Sequence, residues 1–275
     1  MHDLLKGPIV LAGAGKMGGA MLAGWLKGGL SPSQVIVQDP GPPPEIAVWL
    51  EQNGIIVHKL LTDLTEPPAV LLMAVKPQVM DEVFPPIAKL AGQDTLVLSV
   101  AAGRTIAGFE KHLPAGTAVV RSIPNTPAAI GRGITVCVPN SHVTDAQRMI
   151  CDELLAAIGE VGWVEDEAMI DAATAVSGSG PAYVFLLAEC LAEAGMAAGL
   201  QPELAVRLAN ATVSGAGELM RQPDAPPPAT LRENVTSPGG TTFAALQVLM
   251  ADDGLKPLMI KAVREATKRS RALAA

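Results

Sequence analysis

The stretch Ile9-Val10-Leu11-Ala12-Gly13-Ala14-Gly15-Lys16-Met17-Gly18 joins a short aliphatic run to a glycine-rich turn, and apolar residues at helical spacing follow it. The run predicts a buried strand. The spacing G-x-G-x-x-G lets the turn approach a pyrophosphate and points a helix N-terminus at its charge. A chance glycine-rich turn has the same spacing, but the strand before it and the helix after it favour a nucleotide site. We predict dinucleotide binding by Gly13, Ala14, Gly15, Lys16, Met17 and Gly18.

The first part of the chain continues in the same pattern to about residue 164. Six more aliphatic runs alternate with helical patterns, at Val35–Val37, Ile55–Val57, Val70–Met73, Leu96–Leu98, Ala118–Val120 and Ile134–Val136. Uninterrupted apolar strands separated by helices are typical of a buried parallel sheet with helices on both faces. We predict an α/β fold, with an N-terminal doubly wound Rossmann-type dinucleotide-binding domain over residues 1–164 and an all-α domain over residues 165–275.

The helical part is apolar on nearly every side. Residues 182–199 and 204–217 carry small and aliphatic side chains around the whole helix circumference. Helices of this kind must be buried on all faces, and about 110 residues can hardly enclose them alone. We therefore expect a second subunit to cover them, so the helical part is also a dimerisation domain.

The composition excludes several classes of protein. A net charge of −7 and eight aromatic residues (four Phe, three Trp, one Tyr) argue against nucleic-acid binding. Three widely spaced cysteines without a nearby histidine ladder suit a reducing cytoplasm and predict no metal site. We also expect no membrane span, since glycines and Lys16 interrupt the first apolar stretch. The four histidines, His2, His58, His112 and His142, all fall in predicted loops or helix ends, so we interpret them as surface residues.

Several turns after strands should line the cofactor, because ligands bind outside the carboxyl ends of strands in such sheets. Asp39, about twenty residues after the glycines, could accept from the ribose hydroxyls of NAD and repel the extra phosphate of NADP. It could equally begin the turn Asp39-Pro40-Gly41 only. The other candidates at strand ends are Ala74, Val75, Lys76, Pro77, Ala101, Ala102 and Asn125.

Two of these candidates have an alternative interpretation. Lys76 could be a solvated loop lysine, because lysines are mostly exposed. Asn125 lies in Arg121-Ser122-Ile123-Pro124-Asn125-Thr126-Pro127, where two prolines fix the backbone. That turn could be purely structural, although we favour a contact between Asn125 and the nicotinamide.

In the helical part, the informative segment is Asn234-Val235-Thr236-Ser237-Pro238-Gly239-Gly240-Thr241-Thr242. Pro-Gly-Gly removes side chains from the loop, and the threonines then begin a helical pattern whose free N–H groups suit a carboxylate. The competing interpretation is ordinary helix capping by Ser or Thr.

Taken together, these motifs resemble those of the pyrroline-5-carboxylate reductase family, and the resemblance extends over almost the whole chain. The resemblance is carried by the glycine-rich turn, Ala74–Gln78, Arg121–Pro127, Ser177-Gly178-Ser179-Gly180-Pro181-Ala182-Tyr183 and Val235–Thr242. It implies reduction of the cyclic imine L-1-pyrroline-5-carboxylate to L-proline by NADPH or NADH, the last step of proline biosynthesis. It also implies a homodimer at least, often within a ring of dimers such as a decamer.

The resemblance further implies roles for individual residues. Thr242 would be the catalytic hydroxyl near the ring nitrogen. Asn234 would lie near the cofactor and the substrate, as a cofactor-binding residue. Substrate binding would involve Glu167, Ser237, Gly240, Thr241 and Thr242. Asp39 departs from the small or basic residues that NADP-preferring members tend to carry.

Two other functions stay open. A β-hydroxyacid-dehydrogenase-like oxidoreductase shares the layout but is expected to carry a catalytic lysine in a long helix of the second domain, and residues 181–199 and 202–220 contain none. A non-catalytic dinucleotide-sensing protein is the other, because a fold alone does not prove catalysis.

Overall fold

The computed structural model describes residues 5–274. His2 therefore lies outside the described residues. The chain divides into two compact units, one of residues 5–178 together with 267–274 and the other of Ser179–Ala266. The first unit holds a single eight-stranded sheet in the described chain, with β1 at Ile9–Ala12, β2 at Val35–Gln38, β3 at Val57–His58, β4 at Val70–Met73, β5 at Leu96–Ser99, β6 at Ala118–Ile123, β7 at Gly133–Pro139 and β8 at Gly159–Trp163.

The strand order β3-β2-β1-β4-β5-β6-β7-β8 confirms the doubly wound Rossmann-type fold. Strands β1 to β6 are parallel. Strands β2 and β3 lie on one side of β1, and β4 to β6 lie on the other side. The ends of β1, β2 and β4 therefore form the switch point at which such sheets bind nucleotides. The glycine-rich turn follows β1 and therefore lies at this point.

The expectation of an all-parallel sheet is wrong at one edge. Strand β7 runs antiparallel to β6, with Arg121 opposite Val138, and β8 then pairs parallel with β7. The connection from β6 to β7 covers residues 124–132, which is too short for the crossover that a parallel neighbour needs. Strand β8 was also missed, because two glycines interrupt its apolar pattern.

Five α-helices of the first unit connect these strands, namely α1 (Lys16–Lys27), α2 (Pro44–Gln52), α3 (Met80–Ala88), α4 (Ile106–Glu110) and α5 (Asp145–Ala156), and α6 (Met169–Ala173) follows β8. Two hydrophobic clusters result, one on each face of the sheet. Trp25 of α1 is fully buried in the first cluster and donates from its indole nitrogen to the Leu154 carbonyl of α5, at 2.7 Å. The clusters hold the strand ends in a fixed arrangement.

The boundary between the units differs from the sequence-based one. Residues 165–178 belong to the first unit, because α6 packs beside β6 and β7 and the π-helical turn Thr174–Gly178 packs on α6. The end of the last helix, α11 (Leu255–Ala274), also belongs to the first unit. There the buried Asp171 accepts a hydrogen bond from the Ser270 hydroxyl at 2.7 Å. The division into domains at 164/165 stays a prediction.

The second unit is entirely helical in the described residues. It contains α7 (Gly180–Ala197), α8 (Pro202–Met220), α9 (Pro228–Asn234), α10 (Thr241–Leu249) and the start of α11. Helices α7 and α8 pack on each other, yet large apolar side chains of α7 stay exposed. Phe185 is 61% exposed and Leu186 57% exposed. One protomer therefore leaves an apolar surface that a monomer rarely shows.

One described segment, Met169–Ala197, has the length and apolar composition of a membrane span. It is not one continuous α-helix, since the π-helical turn at Thr174–Gly178 and Pro181 interrupt it. The expectation that the chain has no membrane span stays a prediction.

Candidate active site

The glycine-rich turn is built without room for side chains at two of its positions. Gly13 has a φ of +94°, and a Cβ there would lie 2.7 Å from the Ala74 carbonyl oxygen of the neighbouring strand end. A Cβ at Gly18 would overlap the Gly13 carbonyl oxygen. Around Gly15, by contrast, nothing lies within 4 Å of a built Cβ. The turn is therefore packed against the sheet and open on the side of Gly15.

The open side of the turn suits a pyrophosphate. Gly15 is the N-cap of α1, and no side chain caps this helix end or places an acid in its first turn. The free N–H groups and the helix dipole therefore face the open side without a competing anion on the helix. The turn therefore fits the pyrophosphate of a dinucleotide. Binding by Gly13, Ala14, Gly15, Lys16, Met17 and Gly18 individually stays a prediction.

A cleft of about 530 Å³ lies at the ends of β1, β2 and β4. The predicted residues that line it are Gly13, Gly15, Asp39, Ala74, Val75 and Lys76. Two lining residues that the sequence did not single out are charged, Lys59 after β3 and Glu82 on α3. The cleft is therefore lined by two carboxylates and two ammonium groups.

Asp39 has partners for both carboxylate oxygens. Its Oδ2 accepts from the Ala14 backbone N–H at 2.8 Å, and its Oδ1 accepts from the Gly41 N–H at 2.9 Å. The second bond closes the turn Asp39-Pro40-Gly41, which was the alternative interpretation of Asp39 in the sequence. The first ties β2 to the glycine-rich turn and was not foreseen. Asp39 therefore lines the cleft as a fixed carboxylate.

The other strand-end candidates divide into two groups. Lys76 is exposed, lines the cleft and precedes a short 3₁₀ turn that begins at Pro77. Ala101 is buried and donates its N–H to the Ser99 hydroxyl at 3.2 Å, and Ala102 is exposed. Neither alanine lines this cleft, so their contact with the nicotinamide half stays a prediction.

Asn125 uses its side chain to hold the backbone together. Its amide nitrogen donates to the Ser177 carbonyl at 3.1 Å, and its amide oxygen accepts from the Ile134 N–H at 2.9 Å. It thereby joins the turn after β6 to β7 and to the π-helical turn. These bonds support the structural interpretation of the turn, whereas a contact with the nicotinamide is untested.

Glu167 makes an ion pair with Arg121 that the sequence analysis missed. The Arg121 guanidinium lies 2.7 Å from Glu167 Oε1, which also accepts from the Ile106 N–H at 3.0 Å. Arg121 is 3% exposed, and its Nε is buried without a hydrogen-bond partner in the described residues. A basic residue inside the apolar run of β6 was the available signal, because a buried cation requires a partner.

In the second unit, the loop before α10 has the expected backbone form. Gly239 has a φ of +72°, and Gly240 donates its N–H to the Ser237 carbonyl at 3.0 Å. Gly240 is the N-cap, so Thr241 and Thr242 are the first two helical residues, and no side chain caps this end. Gly240 therefore occupies the N-cap position, so neither threonine has the capping role that was the competing interpretation. Asn234 ends α9 and is exposed.

Comparison with known protein families divides the chain in a similar way. Residues 167–273 match the family model described as pyrroline-5-carboxylate reductase dimerisation. Residues 8–103 match the model described as NADP oxidoreductase, coenzyme F420-dependent. The first match supports an oligomer built through the helical part, and the second supports a nicotinamide dinucleotide in the sheet unit.

Individual relatives cover nearly the whole chain. A pyrroline-5-carboxylate reductase from Pseudomonas aeruginosa is 38% identical over 97% of this chain and 96% of its own. One from Pisum sativum is 37% identical over 95% and 94%. Among solved structures, the pyrroline-5-carboxylate reductase of Coxiella burnetii has a TM-score of 0.90 at 32% identity, covering 98% of this chain and 99% of its own. A pyrroline carboxylate reductase from Plasmodium falciparum, solved with NADP bound, has a TM-score of 0.76 at 25% identity, covering 98% and 99%.

Proposed function

The chain belongs to the pyrroline-5-carboxylate reductase family, and from this membership we propose that it reduces the C=N bond of L-1-pyrroline-5-carboxylate to give L-proline, the last step of proline biosynthesis. It is an NAD(P)-dependent oxidoreductase. The observation that carries the proposal is identity of 38% sustained over 97% of the chain.

The first unit would hold the cofactor. NADPH or NADH supplies the hydride when bound. The backbone N–H groups at the start of α1 face the open side of Gly15 and would bind the pyrophosphate. The remaining cofactor-side proposals are Asp39, Ala74, Val75, Lys76, Pro77, Ala101, Ala102, Asn125 and Asn234.

The loop before α10 would hold the substrate. Its carboxylate suits the free N–H groups of Thr241 and Thr242, because an anion is stabilised at a helix N-terminus. The Gly240 N–H already donates to the Ser237 carbonyl, so Gly240 would contribute to the substrate site as an N-cap without a side chain. Ser237 shapes the loop through its carbonyl. The Thr242 hydroxyl, which caps nothing, is free to donate to the imine nitrogen or relay its proton. A site of this kind needs neither a histidine nor a metal.

We further propose that Glu167 acts as a positioning residue on the substrate side. It bonds to a buried arginine and to the start of α4, so it fixes the backbone of the segment that precedes α6. A direct contact with substrate is the alternative that its partial exposure leaves open.

The assembly that we propose is a homodimer at least, with a ring of dimers (a decamer) as the larger form. The match of residues 167–273 to a dimerisation family and the exposed apolar side chains of α7 support a dimer. A cytoplasmic location is also proposed, because Cys137, Cys151 and Cys190 are all free thiols.

The deciding experiment mixes purified protein with each reduced cofactor and pyrroline-5-carboxylate and follows the cofactor absorbance. We expect oxidation only when the imine is present. Binding of the reduced cofactor without any oxidation of it would favour a dinucleotide-sensing protein. Oxidation of 3-hydroxy acids by NAD+ or NADP+, in place of imine reduction, would favour the β-hydroxyacid dehydrogenases, although α7 and α8 lack a lysine.

A further inference from the structure

The charges in the cofactor cleft are distributed unevenly across the sheet. Asp39 follows β2, and its backbone N–H donates to the His58 carbonyl of β3 at 2.9 Å. Lys59 is the next residue after His58, so it is the immediate cross-strand neighbour of Asp39. Both residues line the cleft. The adenosine side of the cleft therefore holds a carboxylate and an ammonium group on adjacent strands.

Asp39 alone would make a poor site for a 2′-phosphate. Both of its oxygens accept backbone N–H bonds, which hold its charge at the end of β2. A second anion placed there would be repelled. A cation beside it offsets this repulsion and supplies a donor for the phosphate.

Lys59 suits that role better than the other lysine in the cleft. Lys59 is exposed and has no ion-pair partner within residues 5–274. Lys76 follows β4, which is separated from β2 by β1. Two strand spacings amount to about 10 Å, and the pyrophosphate turn after β1 lies between them. Glu82, the remaining charged residue of the lining, lies on α3, which begins shortly after Lys76.

We propose that Lys59 binds the 2′-phosphate of NADPH, so that the cleft accepts both NADPH and NADH although Asp39 lies at the end of β2. This inference rests on the proposed function for its cofactor, but it concerns a binding preference that can be measured without turnover. Lys59 is then a specificity-determining residue, whereas Lys76 serves both dinucleotides.

The test uses adenosine 2′,5′-bisphosphate and 5′-AMP as probes, with binding measured by calorimetry on the full-length protein. In Lys59→Met, which keeps most of the aliphatic stem, we expect affinity for the bisphosphate and for NADPH to fall about tenfold, the usual size for a lost hydrogen bond to a charged group. Affinity for 5′-AMP and NADH should change less than about twofold, and the loss should shrink at high salt.

Lys76→Met is the matched control. It should alter NADPH and NADH binding by a common factor and leave the ratio unchanged. Equal losses for both dinucleotides in Lys59→Met, or an unaltered protein that binds 5′-AMP as well as the bisphosphate, would overturn the assignment of Lys59. If bisphosphate binding depends on Lys59 while no imine is reduced, the proposed reaction fails and the assignment stands.

Discussion

The Arg121 guanidinium lies 2.7 Å from the Glu167 carboxylate and joins β6 to the segment that precedes α6. Glu167→Ala would leave a cation that is 3% exposed without its partner. We expect a loss of about 1–3 kcal/mol in the free energy of unfolding, as for other buried donors that lose their acceptor. Urea denaturation provides the measurement.

Glu167→Gln is the control for that prediction, since its amide oxygen can still accept from Arg121 and Ile106. It should lose less stability than the alanine variant and retain most of kcat. Full stability in Glu167→Ala combined with a large rise in KM for the imine would instead assign Glu167 to direct substrate contact.

Thr242→Val should lower kcat by about 10²–10⁴-fold, the range typical of a lost proton-transfer group, and leave cofactor binding unchanged. The helix should persist because Gly240, and not Thr242, is the N-cap of α10. Thr241→Val is the matched control, as it keeps the backbone N–H and the branched shape. Steady-state kinetics and circular dichroism on both variants decide the matter. Equal activity in the two variants would remove Thr242 from the chemistry.

Alanine substitutions at two glycines of the turn after β1 should have different effects, one on the free energy of unfolding and the other on cofactor binding. Gly13→Ala forces a side chain into a φ of +94° and against the Ala74 carbonyl, so we expect a loss of about 1–3 kcal/mol in stability. Gly15→Ala meets no protein atom within 4 Å and should keep its melting temperature, yet weaken NADH binding by filling the pyrophosphate space. Thermal melts with and without NADH test both. A destabilised Gly15→Ala variant would show that its role is structural.

Phe185→Glu should abolish dimerisation, because Phe185 is 61% exposed in one protomer and a charge there is costly only when a partner covers it. Val48→Glu on α2, where Val48 is 53% exposed, is the matched control and should leave the oligomer intact. Sedimentation of both variants measures the assembly. An oligomeric Phe185→Glu protein would remove this face of α7 from the interface.

Cys137 and Cys151 should resist thiol reagents in the folded protein up to about pH 9, because burial raises the pKa of both thiols well above the usual value. Above the ordinary thiol pKa of about 8.5 only the unfolded chain can ionise these groups, so stability should fall as the pH rises through that value. Mass spectrometry after alkylation, with and without denaturant, counts the reactive thiols. Rapid labelling of either buried cysteine without denaturant would contradict the prediction.

The sequence was most informative where local patterns and tertiary structure agree. The run at Val70–Met73 and the turn at Gly13–Gly18 could be assigned because a buried strand and a tight glycine turn each need particular residues. The reversal of β7 depends on the length of the connection after Ile123, and hydrophobic patterning contains no strand direction.

The partners of polar side chains were the least predictable part of the site. Asp39 bonds to Ala14, 25 residues away, and Glu167 bonds to Arg121, 46 residues away. Such bonds depend on the completed sheet, so residue type suggests that a partner exists without identifying it. Lys59 was overlooked for the same reason, because only the pairing of β2 with β3 brings it beside Asp39.

The hydrogen bond between Ser270 and Asp171 has a consequence for biosynthesis. The first unit includes residues 267–274, which are synthesised after the whole of the second unit. During translation, the Asp171 carboxylate lacks this partner until nearly a hundred further residues have been added. The first unit thus reaches its final set of contacts only after the second unit has been synthesised, although almost all of its own sequence is made first.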